Sequence, residues 1–417
     1  MKIVVIGGGA SGMAAAIAAA RKGAEVKLFE KEERLGRKLL ATGNGKCNFS
    51  NSIYKDDVYN EDAADFVKKV FEKVSPEDTL KFFDEIGIYP RFESEGRIYP
   101  ASEQASSVLD ALRTEIERLE NIEVINLHWI KGIVHRREGG FAIVSHRNMR
   151  LAADKVIIAC GGSAGSQYGC EGDGHALAEM LKHEVKEPRP ALVQLTSKAE
   201  YFKQLKGVRA KGRVTLTVKE KKDDEAVIID SEKGEIQFTE TGLSGICIFN
   251  LSGRANRSLY EKKQCSIIID LFPDIEQEEF REIMKIRLAR SGHKTCEDFL
   301  NGLINKKLIP VVLKSCGIRK ITEKAGTISE EQLIDIADFL KNWEVEISGS
   351  KSWSEAQCTS GGVELSQVNP ENMESRLMPG LYFSGEVLDV DGKCGGYNLQ
   401  WAWSSGLLAG ESAAEKE

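Results

Sequence analysis

The chain has 417 residues with 41% apolar and 29% charged side chains, which is typical of a soluble globular protein with more than one domain. Its net charge of −7 argues against a partner such as nucleic acid, since proteins that live on nucleic acid are usually basic. Its nine cysteines are scattered without a CxxC pair or clustered histidines, which favours free thiols in a reducing cytoplasmic compartment over disulfides or a metal site.

The first elements predict a dinucleotide site. An apolar strand from Lys2 to Ile6 runs into a GxGxxG turn and an alanine-rich helix, and a second strand ends at Glu30. The first glycine permits the tight turn, the second lets a diphosphate approach the backbone, and the third lets helix and strand pack closely. Glu30 lies at the distance expected for an acid that accepts both hydroxyls of an adenosine ribose. This unit predicts ligand contacts from Gly7, Gly9, Ala10, Ser11, Gly12 and Glu30.

A strand that begins at residue 2 leads us to expect no signal peptide, and no apolar run is long enough to span a bilayer. Helical spacing covers 62–86 and 102–119, and alternating strands follow, with a hairpin turn at Gly139 and Gly140. A continuously apolar strand from Lys155 then predicts a parallel strand buried on both faces. Ligands gather where such strands end, which here is at Cys160, Gly161 and Gly162.

Composition changes suggest how the chain is divided. Two prolines near residue 190 end the first segment, short alternating strands follow, and helical spacing then dominates from residue 276. Strands and glycines return near residue 345, where we expect the chain to rejoin the nucleotide-binding sheet. We therefore predict a discontinuous domain over 1–190 and 345–417, an inserted β-rich domain over 191–275, and a helical subdomain over 276–344.

Four separated motifs resemble one known family. They are GRKLLATGNGKCNFSN, GEIQFTETGLSG, TSGGVEL and MESRLMPGLYFSGEVLDVDGKCGGYNLQWAWSSG, in this order. Together they are similar to the HI0933-like flavoproteins, also known as the BaiN or YhiN group of NAD(P)/FAD-dependent oxidoreductases. The resemblance implies an α/β fold of the two-dinucleotide-binding-domain, Rossmann-like type that holds FAD, with an inserted β-rich domain carrying a helical subdomain. Where the family carries His after FT, this chain has Glu240.

The resemblance extends the predicted cofactor site. Three basic residues close to the glycine turn could offset phosphate charge: Lys31, Arg37 and Lys38. The alternative interpretation is that they simply form a solvated face of the protein. By resemblance a glycine-rich loop lines the flavin, and its alternative is a plain surface turn: Thr42, Gly43, Asn44 and Gly45. The backbone of Ile130 would contact adenine; the alternative interpretation is that Ile130 is an ordinary core residue.

The C-terminal motif is expected to hold the rest of the flavin. Its first part would hold the ribityl and phosphate region through Gly385, Glu386 and Asp391. Its second part would point a helix N-terminus at the flavin ring through Gly395, Gly396, Tyr397 and Asn398. Such a terminus stabilises negative charge on the reduced ring. No catalytic acid, base or nucleophile is identified, and inert packing is the favoured interpretation of Cys47 and Cys394.

These patterns predict an FAD-dependent oxidoreductase that transfers a hydride between flavin and a small organic substrate. The family suggests NAD(P)H-linked reduction of an unsaturated oxo compound such as a bile-acid-like steroid. No second GxGxxG follows a later strand, so NADH or NADPH, if used, would dock transiently at the flavin face. Two alternatives stay open: an amine oxidase of the aminoacetone type, and an FAD-binding protein without turnover that acts as a sensor or associates with RNA.

Overall fold

The computed structural model describes residues 1–55, 57–147, 149–221 and 223–415. The chain divides into two compact units, which are described separately. Unit one comprises Met1–Arg189 and Ala356–Glu417, and unit two comprises Pro190–Glu355. Among the residues described, no helix is both long enough and apolar enough to cross a membrane.

Unit one contains thirteen strands and six α-helices among the described residues. The strands are β1 Lys2–Ile6, β2 Glu25–Phe29, β3 Ser50–Asn51, β4 Pro90–Phe92, β5 Arg97–Pro100, β6 Ile122–Ile125, β7 Ile130–His135, β8 Phe141–Ser145, β9 Arg150–Ala153, β10 Lys155–Ile158, β11 Val185–Ala191, β19 Cys358–Val363 and β20 Leu381–Phe383. The helices are α1 Ala10–Arg21, α2 Ala64–Lys73, α3 Pro76–Glu85, α4 Ala105–Arg118, α5 Asp173–Met180 and α12 Tyr397–Ala414.

A five-stranded parallel sheet forms the centre of unit one, in the order β20-β10-β1-β2-β6. Val5 lies beside Ile157 on one side and Leu28 on the other, and Ile157 in turn lies beside Tyr382. Strands β1 and β10 are continuously apolar because both faces of the sheet are covered, as predicted. All five strands run in the same direction, so the segments that follow them meet at one edge.

Three smaller sheets complete unit one. Strands β7, β8 and β9 form an antiparallel sheet, and the hairpin predicted at Gly139 and Gly140 joins the first two. Strands β3, β5 and β4 form a second sheet, in which Arg97 lies beside Asn51, and Tyr99 beside Arg91. Strands β11 and β19 form the third.

The first and last helices of unit one pack through small side chains. A Cβ on Gly406 would lie 2.5 Å from Ser11 O, and a Cβ on Gly410 would lie 2.2 Å from Ala15 O. Helix α1 is largely alanine on the contacting side, so the two backbones approach closely. The glycine-turn motif and the C-terminal motif, nearly 400 residues apart in sequence, are thereby held together.

The substitution Gly410→Ala is expected to destabilise unit one by ~1–3 kcal/mol, because the added methyl group overlaps backbone that cannot move independently. Denaturant unfolding followed by tryptophan fluorescence measures this, since Trp401 and Trp403 are buried on α12. The control is Ser412→Ala on the same helix, for which the free energy of unfolding should stay unchanged. Equal stability of the two variants would contradict this account of the helix packing.

Unit two contains seven strands and six α-helices among its described residues. The strands are β12 Leu195–Thr196, β13 Arg209–Lys219, β14 Val227–Phe238, β15 Gly242–Ser244, β16 Gln264–Asp270, β17 Trp343–Ile347 and β18 Gly349–Ser350. The helices are α6 Phe202–Leu205, α7 Ile246–Tyr260, α8 Gln277–Ser291, α9 Cys296–Leu300, α10 Ile309–Ser315 and α11 Glu330–Lys341.

The seven strands form one sheet in the order β17-β16-β13-β14-β15-β12-β18. Its core is contiguous with α7, and a separate core forms among helices α8 to α11. The Rossmann-like α/β class with an inserted β-rich region that carries helices is therefore confirmed.

One strand lies in a different sheet from the one expected. The sequence suggests a return to the nucleotide-binding sheet near residue 345, but β17 pairs with β16, and Val345 lies beside Ile267. The chain leaves unit two only after Glu355. Alternating apolar residues fit a strand in either sheet, so the pattern of β17 alone does not select its partner.

Candidate functional site

The glycine turn after β1 has the geometry of a dinucleotide-binding turn. Gly7 adopts φ +108°, and a Cβ there would lie 2.5 Å from Ala159 O. A Cβ on Gly12 would lie 1.8 Å from Gly7 O, so only glycine lets α1 pack on the strand. A Cβ on Gly9 would meet no protein atom within 4 Å. Gly7 and Gly12 are thus required by the fold, whereas Gly9 borders open space.

Helix α1 begins with its main-chain donors uncapped. Gly9 is the N-cap residue, and no side chain caps this terminus. Ala10 and Ser11 form the first turn, and the Ser11 hydroxyl donates instead to Ser384 O at 3.4 Å. The free N–H groups and the helix dipole together favour an anion at this position.

Glu30 directly follows β2 and is anchored by the main chain. Its carboxylate accepts hydrogen bonds from Gly8 N–H at 2.9 Å and from Glu32 N–H at 2.8 Å. Burial raises the pKa of Glu30, although these main-chain donors oppose the increase. The carboxylate is therefore held in place beside the glycine turn.

A cleft that is partly open to solvent lies along this edge of the central sheet. The predicted residues that line it are Gly7, Gly9, Glu30, Lys31, Arg37, Lys38, Ile130 and Cys160. The side chain of Ile130 is also part of the buried core, and the Cys160 thiol donates to Ile6 O at 3.3 Å. Of the two glycines that follow Cys160, Gly161 adopts φ +72°, and Gly162 is packed against Thr359.

The three basic residues expected to offset phosphate charge are paired with carboxylates of the protein. Lys31 contacts Asp173 at 2.5 Å and Glu171 at 2.9 Å, and these partners raise its pKa even though burial alone would lower it. Arg37 pairs with Glu32, and Lys38 pairs with Glu386 at 2.7 Å. Their charges are already compensated within the protein, and their contact with a phosphate stays a prediction.

Arg34 was missed by the sequence reasoning. It lines the same cleft and is exposed, and among the described residues its guanidinium has no hydrogen-bond or ion-pair partner. The sequence feature that could have indicated Arg34 is its position between the glycine turn and the GRKLL motif. The uncompensated positive charge is therefore on Arg34 rather than on its three predicted neighbours.

The glycine-rich loop after Lys38 is exposed and tightly turned. Gly43 adopts φ +57° and Asn44 φ +54°, and Gly45 follows at φ +85°. The Thr42 hydroxyl donates to Leu39 O at 2.7 Å, so its side chain serves the turn itself. The main chain of this loop, rather than the Thr42 side chain, remains available to a ligand.

Asn48 is a second residue that the sequence reasoning missed, although it lies in the quoted motif. A Cβ on Gly43 would lie 2.7 Å from Asn48 N, and one on Gly396 would lie 2.8 Å from Asn48 Oδ1. This amide oxygen is buried and has no hydrogen-bond partner in the part of the chain that the structure describes. Asn48 thus lies between the glycine-rich loop and the N-terminus of α12.

The first half of the C-terminal motif meets the glycine turn. A Cβ on Gly385 would lie 2.4 Å from Ser11 Oγ, and Trp401 Nε1 donates to Gly385 O at 3.0 Å. Glu386 accepts from Thr359 N–H at 2.8 Å in addition to its ion pair with Lys38. Gly385 therefore lies beside the N-terminus of α1.

The second half of the motif begins α12. Gly395 and Gly396 adopt φ +142° and +97°, and no side chain caps the helix that follows. The predicted side chains beyond them are used within the protein: Tyr397 donates to Ile53 O at 2.9 Å, and Asn398 Oδ1 accepts from Gly392 N–H at 2.8 Å. A hydrogen bond also holds the loop between Gly385 and Gly395 in place: Asp391 Oδ1 accepts from Asn60 Nδ2 at 2.8 Å.

The remaining candidate groups do not form a catalytic centre. Cys47 is buried, and burial raises its pKa to about 12, in agreement with an inert thiol. Among the described residues, no group of histidine, cysteine and acidic side chains could hold a metal ion. Glu240, the departure from the family pattern, is exposed in unit two and pairs with Lys206 at 2.8 Å.

Comparisons with known proteins agree with this architecture. The chain is 38% identical to the 3-dehydro-bile acid delta(4,6)-reductase of Clostridium scindens, over 100% of this chain and 99% of the relative. It is 29% identical to the ribosomal RNA dihydrouridine synthase of Haemophilus influenzae, over 96% of both chains. The structure of 3-ketosteroid delta1-dehydrogenase from Sterolibacterium denitrificans matches with a TM-score of 0.51 and 13% identity over 99% of both chains, a likeness of fold.

The family comparison covers almost the whole chain. The model described as the HI0933-like protein Rossmann domain matches residues 1–412, which include every motif on which the resemblance rests. The chain therefore belongs to the HI0933-like family.

Proposed function

We propose that this protein is an FAD-dependent oxidoreductase that reduces a carbon–carbon double bond conjugated to a carbonyl group in a small, steroid-like molecule, with NADH or NADPH as electron donor. The observation that carries the proposal is full-length similarity to a bile-acid reductase, at 38% identity. FAD, when bound, would take up hydride from the donor and supply it to an electron-poor carbon of the substrate.

The residues of unit one fit this cofactor. The uncapped N-terminus of α1 and the open space at Gly9 would receive the diphosphate, and Glu30 would hold the adenosine ribose. The unpartnered Asn48 oxygen and the glycines at 43 and 396 would border the flavin ring. The uncapped N-terminus of α12 would favour negative charge on that ring.

Arg34 would supply the positive charge for the diphosphate. Arg34→Gln is expected to weaken FAD binding by about tenfold, a loss of ~1.4 kcal/mol, and to reduce its salt dependence. The matched control is Arg37→Gln, which removes a charge already paired with Glu32 and should change affinity less. Fluorescence titration of apoprotein with FAD at low and high salt measures both, and a larger loss for Arg37→Gln would contradict the assignment.

A small substrate is favoured over RNA by the charges around the glycine-rich loop. Three basic side chains there have acidic partners: Lys46 and Arg91 both pair with Glu103 at 2.7 Å, and Arg97 pairs with Glu95. Binding of an RNA backbone relies on uncompensated positive charge. A uracil ring also contains a double bond conjugated to a carbonyl group, so the same chemistry on RNA is the second candidate, supported by the 29% identical relative.

Anaerobic bleaching of the flavin tests the proposal. Reduction by NADH or NADPH, followed by recovery of the oxidised spectrum on addition of a 3-oxo steroid with conjugated double bonds, is the expected result. Recovery with uridine-containing ribosomal RNA, but not with steroid, would favour the second candidate. Bleaching by aminoacetone alone would identify an amine oxidase, and no bleaching by any donor would favour a protein without turnover.

A further inference from the structure

Reduction of a conjugated double bond requires a proton as well as a hydride, and none of the residues assigned to the cofactor supplies one. A proton donor must lie beside the ring-binding loops, carry an O–H or N–H group, and have that group free. Several groups near these loops fail this requirement. The Tyr397 hydroxyl is bound to Ile53 O, and the Cys358 thiol to Asn398 Oδ1. The cations Lys46 and Arg97 are held in ion pairs.

Tyr99 meets the requirement. It lies on β5, in the small sheet formed with β3 and β4, and a Cβ on Gly43 would lie 3.5 Å from Tyr99 Cε1. Its ring is half-buried, and its hydroxyl has no hydrogen-bond partner among the residues described.

The sheet also places Tyr99 close to the second ring-binding loop. Side chains alternate along a strand, so Arg97 and Tyr99 lie on one face of β5, and Asn51 is the register partner of Arg97. Asn51 Nδ2 donates to Gly395 O at 2.8 Å, just before the N-terminus of α12. The face that carries Tyr99 therefore borders both glycine loops.

We propose that the phenol of Tyr99 donates the proton that completes reduction of the conjugated substrate; this role rests on the proposed function. The hydride that FAD would supply when bound and reduced would form a C–H bond at the β-carbon of the substrate, and the electron pair of the double bond would move to the α-carbon. The α-carbon takes the proton from Tyr99 Oη as the O–H bond breaks. The phenolate then regains a proton from solvent, so the substrate gains one hydride and one proton while flavin is oxidised.

The surroundings keep the phenol protonated at neutral pH. Burial raises the pKa of Tyr99, Glu93 and Glu103 act in the same direction, and Arg97 and Lys46 oppose them. A donor of this kind acts in its acid form, so the rate should be constant near neutral pH and fall as pH rises through the phenol pKa.

The test separates the two half-reactions in wild type and in Tyr99→Phe. Flavin reduction by the nicotinamide should be unchanged in Tyr99→Phe, whereas reoxidation by the conjugated steroid should slow by about 100-fold, as expected for loss of a general acid. The alkaline decline of the wild-type rate should be absent from the variant. The affinity of Tyr99→Phe for the saturated 3-oxo steroid, measured by calorimetry, should equal that of wild type. This measurement does not depend on turnover. The control is Tyr89→Phe, which changes an exposed tyrosine directly before β4 and should behave as wild type.

Each contrary result has a distinct meaning. Reoxidation of Tyr99→Phe at the wild-type rate would overturn the proton-donor role while leaving the proposed function intact. Loss of steroid binding together with the rate would also overturn it, because Tyr99 would then be a binding residue. Failure of the steroid to reoxidise even wild-type flavin would instead overturn the proposed function, and the role of Tyr99 with it.

Discussion

Gly9→Val is expected to weaken flavin binding strongly while leaving unit one folded. A Cβ at Gly9 would meet no protein atom within 4 Å, and Gly9 has an extended backbone with φ −78°, so we expect the apoprotein to accommodate the substitution. The same side chain would occupy the space in front of the uncapped α1 N-terminus, where the diphosphate is proposed to lie. We expect FAD affinity to fall by ~100-fold or more, a loss of at least about 2.8 kcal/mol.

The measurement is FAD titration of apoprotein, with thermal unfolding of the same samples as a check on folding. Gly132→Val is the matched control, since a Cβ at Gly132 also meets nothing within 4 Å. Both variants should unfold like wild-type apoprotein, and Gly132→Val alone should bind FAD normally. Wild-type affinity in Gly9→Val would show that the diphosphate does not lie at this turn.

Glu30→Gln is expected to weaken FAD binding by roughly 10- to 100-fold, because hydrogen bonds to a charged acceptor contribute ~1.5–3 kcal/mol. An amide retains one acceptor oxygen but presents an N–H₂ group where the carboxylate accepts from Gly8 or Glu32. Glu25, the exposed first residue of β2, provides the control variant Glu25→Gln. An affinity equal to wild type would remove Glu30 from the ribose site.

The pH dependence of FAD affinity gives a second measure of Glu30. Burial raises the pKa of this carboxyl, so protonation begins at a higher pH than for an ordinary glutamate. The ribose hydroxyls need the ionised form as acceptor, so wild-type affinity should be full near neutral pH and fall as pH decreases through the raised pKa. In Glu30→Gln this decrease should be absent, and a parallel decrease in both proteins would assign it to another group.

Local patterns in the sequence were sufficient for the nucleotide-binding elements. The strand, glycine turn and helix from Lys2 to Arg21 are contiguous, and their identities follow from short-range sterics and continuous burial. Glu30 could be placed for the same reason, because it directly follows a strand whose register with β1 is determined by the sheet. The β-rich segment and the helical segment of unit two were likewise indicated by a change in the spacing of apolar residues along the chain.

Contacts between distant segments could not be predicted in this way. Lys31, Lys38 and Arg37 are basic residues near a glycine turn, but their carboxylate partners lie as far away as Glu386. Only the folded chain shows that these three charges are compensated by carboxylates and that the charge of Arg34 is not. The same holds for Tyr397 and Asn398, whose side chains form hydrogen bonds with the main chain of Ile53 and Gly392.

The class of fold, the glycine turn, the position of the acid after β2 and the family could all be predicted from the sequence, because each depends on residues adjacent in the chain or on motifs in a defined order. The tertiary structure decided which side chains remain free to meet a ligand: Arg34, Asn48 and Tyr99. Freedom of a polar group depends on every neighbour that could bind it, and in a folded protein most of those neighbours come from elsewhere in the sequence.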